Sequence, residues 1–158
     1  MFREITRFKQ AMTKEESIQL LKETRRGVLA VLTEDGYPYA LPLDHYYDEE
    51  SGTIFFHSGH IGHKLDCIKA CDKVSYCVMD EGQRQDDHWA LHFRSVVVFG
   101  RIRIMEDHDQ VLHLSRLLSR KFTQDEDEIE FEVQKSGFRT VGLLLTPEHI
   151  TGKRVKES

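Results

Sequence analysis

Apolar side chains recur every three or four residues in three stretches of the chain, the period of an amphipathic helix. The first stretch, residues 13–24, opens with Thr13 and, three positions later, Glu16. This is the pattern of a capping box, in which each side chain bonds a free backbone N–H of the other. It predicts a short surface helix. The same spacing predicts two further helices, over residues 62–70 and from about 107 to 120.

Elsewhere the apolar residues alternate or run continuously, which is typical of strands. Residues 28–33 and 37–45 flank the dipeptide 35–36, an Asp-Gly turn that favours a hairpin because glycine adopts positive φ without steric cost. A third strand is predicted over residues 53–57, and we expect these three strands to form a meander. The second strand contains two prolines that cannot donate to a ladder, so it is predicted to lie at an edge or to be interrupted.

The second half of the chain has a longer strand pattern. A strand is predicted over residues 74–80, another over 90–105 and a last one over 140–146, which Pro147 interrupts. Within residues 90–105 the apolar phase changes near Ser95. This change predicts a bulge there, or a strand that passes from one packing surface to another.

Short strands at regular intervals, with only three helical stretches, predict a small, mainly β, antiparallel barrel of α+β character with helices packed at its rim. A length of 158 residues suits one domain spanning 1–158, and an apolar share of 39% is enough for a core. The 22 basic and 27 acidic side chains leave a net charge of −5, which argues against nucleic-acid binding by phosphate neutralisation. The acidic stretch 124–132 is interpreted as a solvated loop or helix end rather than a site.

Three features indicate the compartment. No segment approaches the roughly 18 consecutive apolar residues of a membrane span, and the first ten residues lack the apolar run of a secretory signal. The three cysteines, Cys67, Cys71 and Cys77, are odd in number and clustered, unlike a secreted disulfide framework. We therefore expect reduced thiols, a cytoplasmic protein and no membrane partner.

The segment F-H-S-G-H-I-G-H-K, residues 56–64, lies where a strand gives way to a helix. Ser58, Gly59 and Gly62 come near the helix start, whose free N–H groups and dipole favour an anion. Lys64, one turn in, adds a positive charge that can reach a phosphate. The segment thus suits a phosphorylated ligand; the alternative is a plain capped helix with a surface lysine.

His57, His60 and His63 are spaced three apart, which raises the question of a metal site. His57 belongs to a strand end and should point away from the other two. No carboxylate or cysteine spacing completes a four-ligand zinc site. Histidines lining a pocket rim are the preferred interpretation, and no metal is predicted.

Four blocks of sequence occur in the same order as in the pyridoxamine 5′-phosphate oxidase-like flavoproteins. They are L-A-V-L-T-E-D-G-Y-P-Y-A-L-P-L (29–43), I-F-F-H-S-G-H-I-G-H-K (54–64), F-R-S-V-V-V-F-G-R-I (93–102) and I-T-G-K-R (150–154). The chain most resembles the nitroimidazole-resistance (Nim) branch of that superfamily. The H-S-x-x-x-G-x-K block and the S-V-x-x-x-G strand are the specific parts of the match.

The resemblance implies an FMN-binding split β-barrel, antiparallel and Greek-key-like, with short flanking helices. It implies a homodimer with FMN in a groove between the two subunits. Carried over by motif, His57, Ser58 and Lys64 would bind the phosphate and ribityl region of FMN. Ser95, in the S-V strand, would also face the phosphate.

The resemblance further implies that Leu41, Pro42 and Leu43 run beside the isoalloxazine ring and offer backbone groups to its polar edge. His57 matches a histidine that is associated with nitro reduction in the Nim branch, and His57 or His45 could donate a proton near neutral pH. The expected function is an FMN-dependent oxidoreductase acting on small nitroaromatic, 5-nitroimidazole-like molecules. The alternative is a non-catalytic flavin or haem carrier or sensor.

Overall fold

Residues 1–156, which the computed structural model describes, form four α-helices and nine strands. The helices are α1 Lys14–Glu23, α2 His63–Ala70, α3 His108–Ser119 and α4 Glu126–Ser136. The strands are β1 Ala11–Met12, β2 Arg26–Leu32, β3 Pro38–Asp44, β4 Tyr46–Asp48, β5 Thr53–Gly59, β6 Lys73–Met79, β7 Gln83–Arg84, β8 Leu91–Met105 and β9 Thr140–Lys156. None of the helices in this range is long and apolar enough to cross a membrane.

All strands belong to one antiparallel sheet with the order β3-β2-β6-β8-β9-β5-β4, while β1 joins β9 and β7 joins β8. The long strands β8 and β9, of 15 and 17 residues, pair with each other over most of their length. The sheet curls into a half-barrel, in which α1 and α2 pack into the interior apolar cluster and α3 packs against the other side of β5. The predicted fold class, an antiparallel split barrel with short flanking helices, is confirmed.

The predicted meander of the first three strands is wrong in its last step. β5 does not pair with β3; it lies between β9 and β4, and β3 forms the opposite end of the strand order. All four side chains from Thr53 to Phe56 are buried, so β5 is covered on both faces and takes an interior position. The edge position expected for the proline-containing strand is confirmed by β3.

The irregularity in the long strands lies further along than expected. Ser95 stays in register with both neighbouring strands, so a bulge at that position is wrong. The register shifts between Phe99 and Gly100, where Glu148 of β9 has no partner. Pro147 sits at this shift and does not end the strand, because a residue without an N–H is tolerated beside an unpaired position.

The acidic stretch, interpreted as a solvated loop or a helix end, forms the N-terminal part of a full helix, α4. The Asp125 carboxylate caps the helix by accepting the N–H groups of Asp127 and Glu128, both at 3.1 Å. Acidic side chains in the first turn match the positive end of the helix dipole. Ile129 and Val133, four residues apart, bury one face of the helix. The three helices predicted from periodicity are confirmed, and the capping box of α1 is formed as expected.

Two apolar clusters hold the fold together, and β5 contributes to both. Phe56 lies in the barrel interior, with Tyr76 and Leu143 among its neighbours. Phe55 points to the other side of the strand, where it packs with residues of α3. Burying one such aromatic side chain contributes about 1.5–3 kcal/mol. Because side chains alternate along a strand, His57 points to the same side of β5 as Phe55, and Ser58 points to the interior side with Phe56.

Candidate functional site

The start of α2 differs from the starts of the other helices. α1, α3 and α4 are capped by the side chains of Thr13, Asp107 and Asp125, whereas α2 begins at Gly62 and has no side-chain cap. Gly62 has φ of +148°, a conformation that is essentially restricted to glycine. A side chain built on Gly62 would meet open space. The first amides of α2 therefore point to an accessible region and have no side-chain acceptor there.

Lys64 stands in this first turn and is half-buried. Within residues 1–156 it forms neither a hydrogen bond nor an ion pair with any other side chain. Desolvation by the surrounding protein lowers the pKa of its ammonium. A partly desolvated cation without a counter-ion, at the uncapped positive end of a helix, is an arrangement that attracts an anion.

His57 follows Phe55 on the helix-facing side of β5 and lines a cleft formed with α3 and α4. Its ring keeps contact with solvent, yet the protein around it removes part of its hydration. This desolvation lowers the pKa of His57; the carboxylate of Asp44 opposes the shift and the Lys64 ammonium adds to it. His57 is therefore an uncharged imidazole at neutral pH, with a lysine and an aspartate close enough to act on it.

Ser58 follows Phe56 and is buried on the interior side of β5. Its hydroxyl donates to the carbonyl of Gly59 at 3.0 Å, so its proton is already engaged. Contact with a phosphate would need a change of side-chain rotamer. The neighbouring loop is tied down by His60, whose Nδ1 lies 3.2 Å from the carbonyl of Arg139.

The side chains of β3 divide between core and solvent. Leu41 and Leu43 pack against the barrel core, whereas Pro42 is exposed. β3 contacts the neighbouring part of β5 without pairing to it, and the ring of Tyr39 lies 5.1 Å from that of His63 in α2. β3, the end of β5 and the start of α2 therefore meet along one side of the barrel.

The backbone of β3 has a free edge whose composition follows from the hairpin. The Thr33 N–H donates to the carbonyl of Tyr37 at 2.9 Å, which sets the alternation of bonded pairs along the two strands. Odd-numbered residues of β3 then face β2, while Ala40, Pro42 and Asp44 face outward. The free edge offers the Pro42 carbonyl and the N–H groups of the other two. Of the three residues expected to present backbone groups, only Pro42 does so.

Ser95 is not brought to this place within one chain. It pairs with Lys153 of β9, whereas Ser58 pairs with Val141 of the same strand. These two partners are separated by 153 − 141 = 12 residues, which corresponds to about 40 Å of strand. The other predicted residues gather around the β3–β5–α2 side.

Sequence reasoning missed a group of hydroxyls and the complete burial of one histidine. The first is a row of hydroxyls in the cleft beside His57, including Ser115 and Ser119 of α3. Their four-residue spacing was a visible signal, but the apolar period of α3 hid it. The second is His45, which is fully buried and bonded through both ring nitrogens, to the Leu21 carbonyl and the Tyr76 hydroxyl. This placement removes His45 as a proton donor to a ligand, and no sequence signal indicated it.

Comparisons with known proteins add two findings. A family model described as pyridoxamine 5′-phosphate oxidase matches residues 13–154. None of the curated proteins matches the chain.

Among solved structures, a candidate 5-nitroimidazole antibiotic resistance protein from Bacteroides thetaiotaomicron superposes with a TM-score of 0.78 at 17% identity, over 92% of this chain and 87% of that one. An FAD-binding protein from Mesorhizobium loti gives 0.71 at 24% identity, over 92% and 97%. The flavocytochrome Anf3 from Azotobacter vinelandii gives 0.76 at 15% identity, over 98% and 75%. At these identities the likeness concerns the fold.

Proposed function

The chain belongs to the pyridoxamine 5′-phosphate oxidase family, and from that premise we propose that it is an FMN-dependent oxidoreductase that reduces small nitroaromatic molecules of the 5-nitroimidazole kind. The observation that carries the proposal is Lys64, a half-buried cation at the uncapped start of α2 that has no counter-ion among residues 1–156. Flavin binding by structural relatives and the resistance role named for one of them support it. Bound FMN would supply the redox chemistry.

The start of α2 is the proposed phosphate cradle. Lys64 supplies the charge, and the free amides after Gly62 supply hydrogen bonds in a fixed direction. The Ser58 hydroxyl joins them when its rotamer releases the carbonyl of Gly59. Each charge-assisted contact of this kind contributes about 1.5–3 kcal/mol.

The free edge of β3 is the proposed seat of the isoalloxazine ring. Leu41 and Leu43 hold the strand against the core, so the edge is rigid. The Pro42 carbonyl and the Ala40 and Asp44 N–H groups face outward, where they can pair with the polar edge of the ring. Pro38 and Pro42 have no N–H group, so the donors on this edge are limited to the N–H groups of Ala40 and Asp44.

His57 is the proposed catalytic residue, because it lies between this seat and the cleft beside α3. As an uncharged imidazole it can donate one hydrogen bond and accept another. Because its pKa is lowered, His57 is uncharged at neutral pH, and its proposed role there is to bind and orient a substrate through hydrogen bonds. It would act as a cationic acid only below neutral pH.

A homodimer is proposed from the outer face of the sheet. Two rows of outward side chains cross β3, β2, β6, β8 and β9 in register: Pro42, Val28, Cys77, Val97 and Thr151, and beside them Ala40, Ala30, Ser75, Phe99 and His149. Neither row contains a lysine, arginine, aspartate or glutamate. Val28 and Phe99 are 42% and 39% exposed. An apolar outer face is removed from water when a second copy of the chain packs against it. In such a dimer, Ser95 would reach the phosphate bound by the partner subunit.

Replacement of Lys64 by alanine tests the proposed function. FMN affinity, measured by fluorescence quenching during titration, should fall about tenfold to a hundredfold, because one charge-assisted contact is removed. Lys69→Ala is the matched control, since Lys69 is an exposed lysine on the same helix. Unchanged affinity in Lys64→Ala would place the phosphate elsewhere.

Absorption spectroscopy separates the alternatives. An absorption band near 450 nm together with turnover of NAD(P)H and a nitroimidazole supports the oxidoreductase. A Soret band supports the alternative of a haem carrier or sensor, and bound flavin without turnover supports a flavin carrier. We also expect the protein in the cytoplasm, where its three free thiols remain reduced.

A further inference from the structure

A small polar cleft lies beside His57, on the side of β5 that faces the helices. Its walls are the inward side of α3, the inward side of α4 and the turn that leads into β9. The cleft has a volume of about 160 Å³. It opens next to the proposed flavin seat, because His57 borders both.

The cleft contains four hydroxyl groups, and one of them has no partner. Ser119 donates to the carbonyl of Ser115 at 2.9 Å, Ser136 to that of Glu132 at 2.7 Å, and Thr140 to that of Ser136 at 2.9 Å. The Ser115 oxygen is buried and forms no hydrogen bond with any residue of 1–156. A buried hydroxyl without a partner is destabilising, and rotation of the Ser115 side chain toward the cleft would let it donate to an acceptor of a bound ligand.

The dimensions of the cleft are set by close packing of its walls. A side chain on Gly137 would lie 2.7 Å from the terminal methyl of Leu112, so a larger residue there would require this leucine to move. On the outer side, α3 and α4 are tied by the ion pair of Arg120 with Glu126 at 2.9 Å, and Arg116 forms a second one with α4. A volume of about 150 Å³ holds one benzene ring. The cleft therefore fits a single five- or six-membered ring.

The charges around the cleft favour an uncharged occupant. No lysine or arginine lines it among the residues that the structure describes. His57 is uncharged at neutral pH, and the carboxylate of Glu132 stands at the rim. The Lys135 ammonium lies 3.9 Å from the Glu132 carboxylate but is not among the lining side chains, so an anion in the cleft would lose hydration without gaining an ion pair. Leu112 and Val133 supply apolar walls for the faces of a ring.

We propose that this cleft is the substrate subsite of the flavin centre and that it takes one uncharged heteroaromatic ring, with the Ser115 hydroxyl donating to an acceptor on that ring. Ser115 is then the residue that determines specificity, and anionic or bicyclic aromatic molecules are excluded by charge and by volume. This proposal rests on the proposed function, because it supplies the substrate of the same site.

The test is equilibrium dialysis of 2-methyl-5-nitroimidazole against the full chain, with and without FMN, in wild type and in variants. Ser115→Ala should weaken binding of this probe about two- to tenfold, the value of one neutral hydrogen bond. Ser115→Val, which also fills the cleft, should remove binding. His113→Ala, on the exposed side of α3, is the matched control and should bind as wild type does. The anionic probe 4-nitrobenzoate should bind wild type at least about tenfold more weakly.

FMN titration of each variant separates this proposal from the proposed function. Flavin affinity unchanged in both Ser115 variants, together with weaker probe binding, supports the subsite. Probe affinity in Ser115→Ala and Ser115→Val equal to wild type overturns it, as does equal binding of the two probes to wild type. If FMN fails to bind, the proposed function is lost, and dialysis with the flavin-free protein still decides the subsite. Thermal unfolding identifies a variant that does not fold, and the two-probe comparison then stands on wild type alone.

Discussion

Protonation of the buried His45 should make the stability of this protein strongly dependent on pH. The ring is 0% exposed and lies between α1 and β6. Its Nε2 is 2.7 Å from the carbonyl of Leu21, which can only accept, so Nε2 carries the hydrogen. Nδ1 is then an acceptor, and the Tyr76 hydroxyl, which also lies 3.0 Å from the Leu43 carbonyl, donates to it at 2.6 Å. A second proton on the ring would reverse this bond, turn the Tyr76 hydroxyl toward Leu43 and place a charge in the core.

The direction and size of the effect follow from the pKa. Burial, with the nearby Lys121 ammonium adding to it, lowers the pKa of His45 from 6.5 to about 4. The unfolded chain therefore binds the proton more readily than the native one, so the free energy of unfolding falls as the pH drops from 6.5 toward 4. At 1.36 kcal/mol per pKa unit the whole shift corresponds to about 3 kcal/mol, of which about 2 kcal/mol is lost between pH 7 and pH 5.

Urea unfolding followed by far-ultraviolet circular dichroism at several pH values between 7 and 5 measures this loss. His45→Gln keeps a donor toward Leu21 but cannot titrate, so the loss over this range should shrink by about 2 kcal/mol. His113→Gln, an exposed position on α3, serves as the control and should keep the wild-type slope. His57 also has a lowered pKa and contributes equally to wild type and variant, so it cancels in the difference. A His45→Gln slope equal to that of wild type would refute the reasoning.

Three further predictions concern the helix starts and the outer sheet face. Gly62→Ala forces a side chain into a backbone conformation reserved for glycine, so it should lower the melting temperature and weaken FMN binding, whereas Gly59→Ala should do less because its φ is not positive. Asp125→Ala removes the cap of α4 and should cost about 1 kcal/mol in urea unfolding; no loss would mean that the cap is not formed in solution. Val97→Lys places a charge at the centre of the proposed interface, so sedimentation should change from a mass of twice 18.5 kDa to that of one chain, while a persistent dimer would place the interface elsewhere.

The elements that sequence predicted well are those whose energetics are local. The capping box of α1 needs only Thr13 and Glu16, and the hairpin before β3 needs only an Asp-Gly turn between two apolar runs. The geometry of proline limited β3 to an edge position or an interrupted strand, and the first of these is found. α4 was missed because its acidic residues obscured a cap at Asp125 and a short apolar face. Such features depend on residues three or four positions apart, so they can be predicted from the sequence without knowledge of the tertiary structure.

The pairing of strands and the surroundings of the site depend on contacts between distant residues. The partner of β5 is β9, more than eighty residues away, and no local pattern distinguishes it from the nearer β3. The position of the register shift depends on how β8 and β9 meet around the unpaired Glu148, and these two strands come together only in the folded sheet.

By itself the sequence determined a mainly antiparallel barrel, the starts of α1, α2 and α3 and a candidate anion site at residues 56–64, because each is decided by short-range geometry and charge. It also placed Lys64 correctly in the first turn of α2. Only the tertiary structure decided that this lysine has no counter-ion in the described part of the chain, that Ser58 is already hydrogen-bonded, and that Ser95 lies far along the same sheet. Burial and pairing are properties of residues brought together by the fold, and desolvation acts only once they have met.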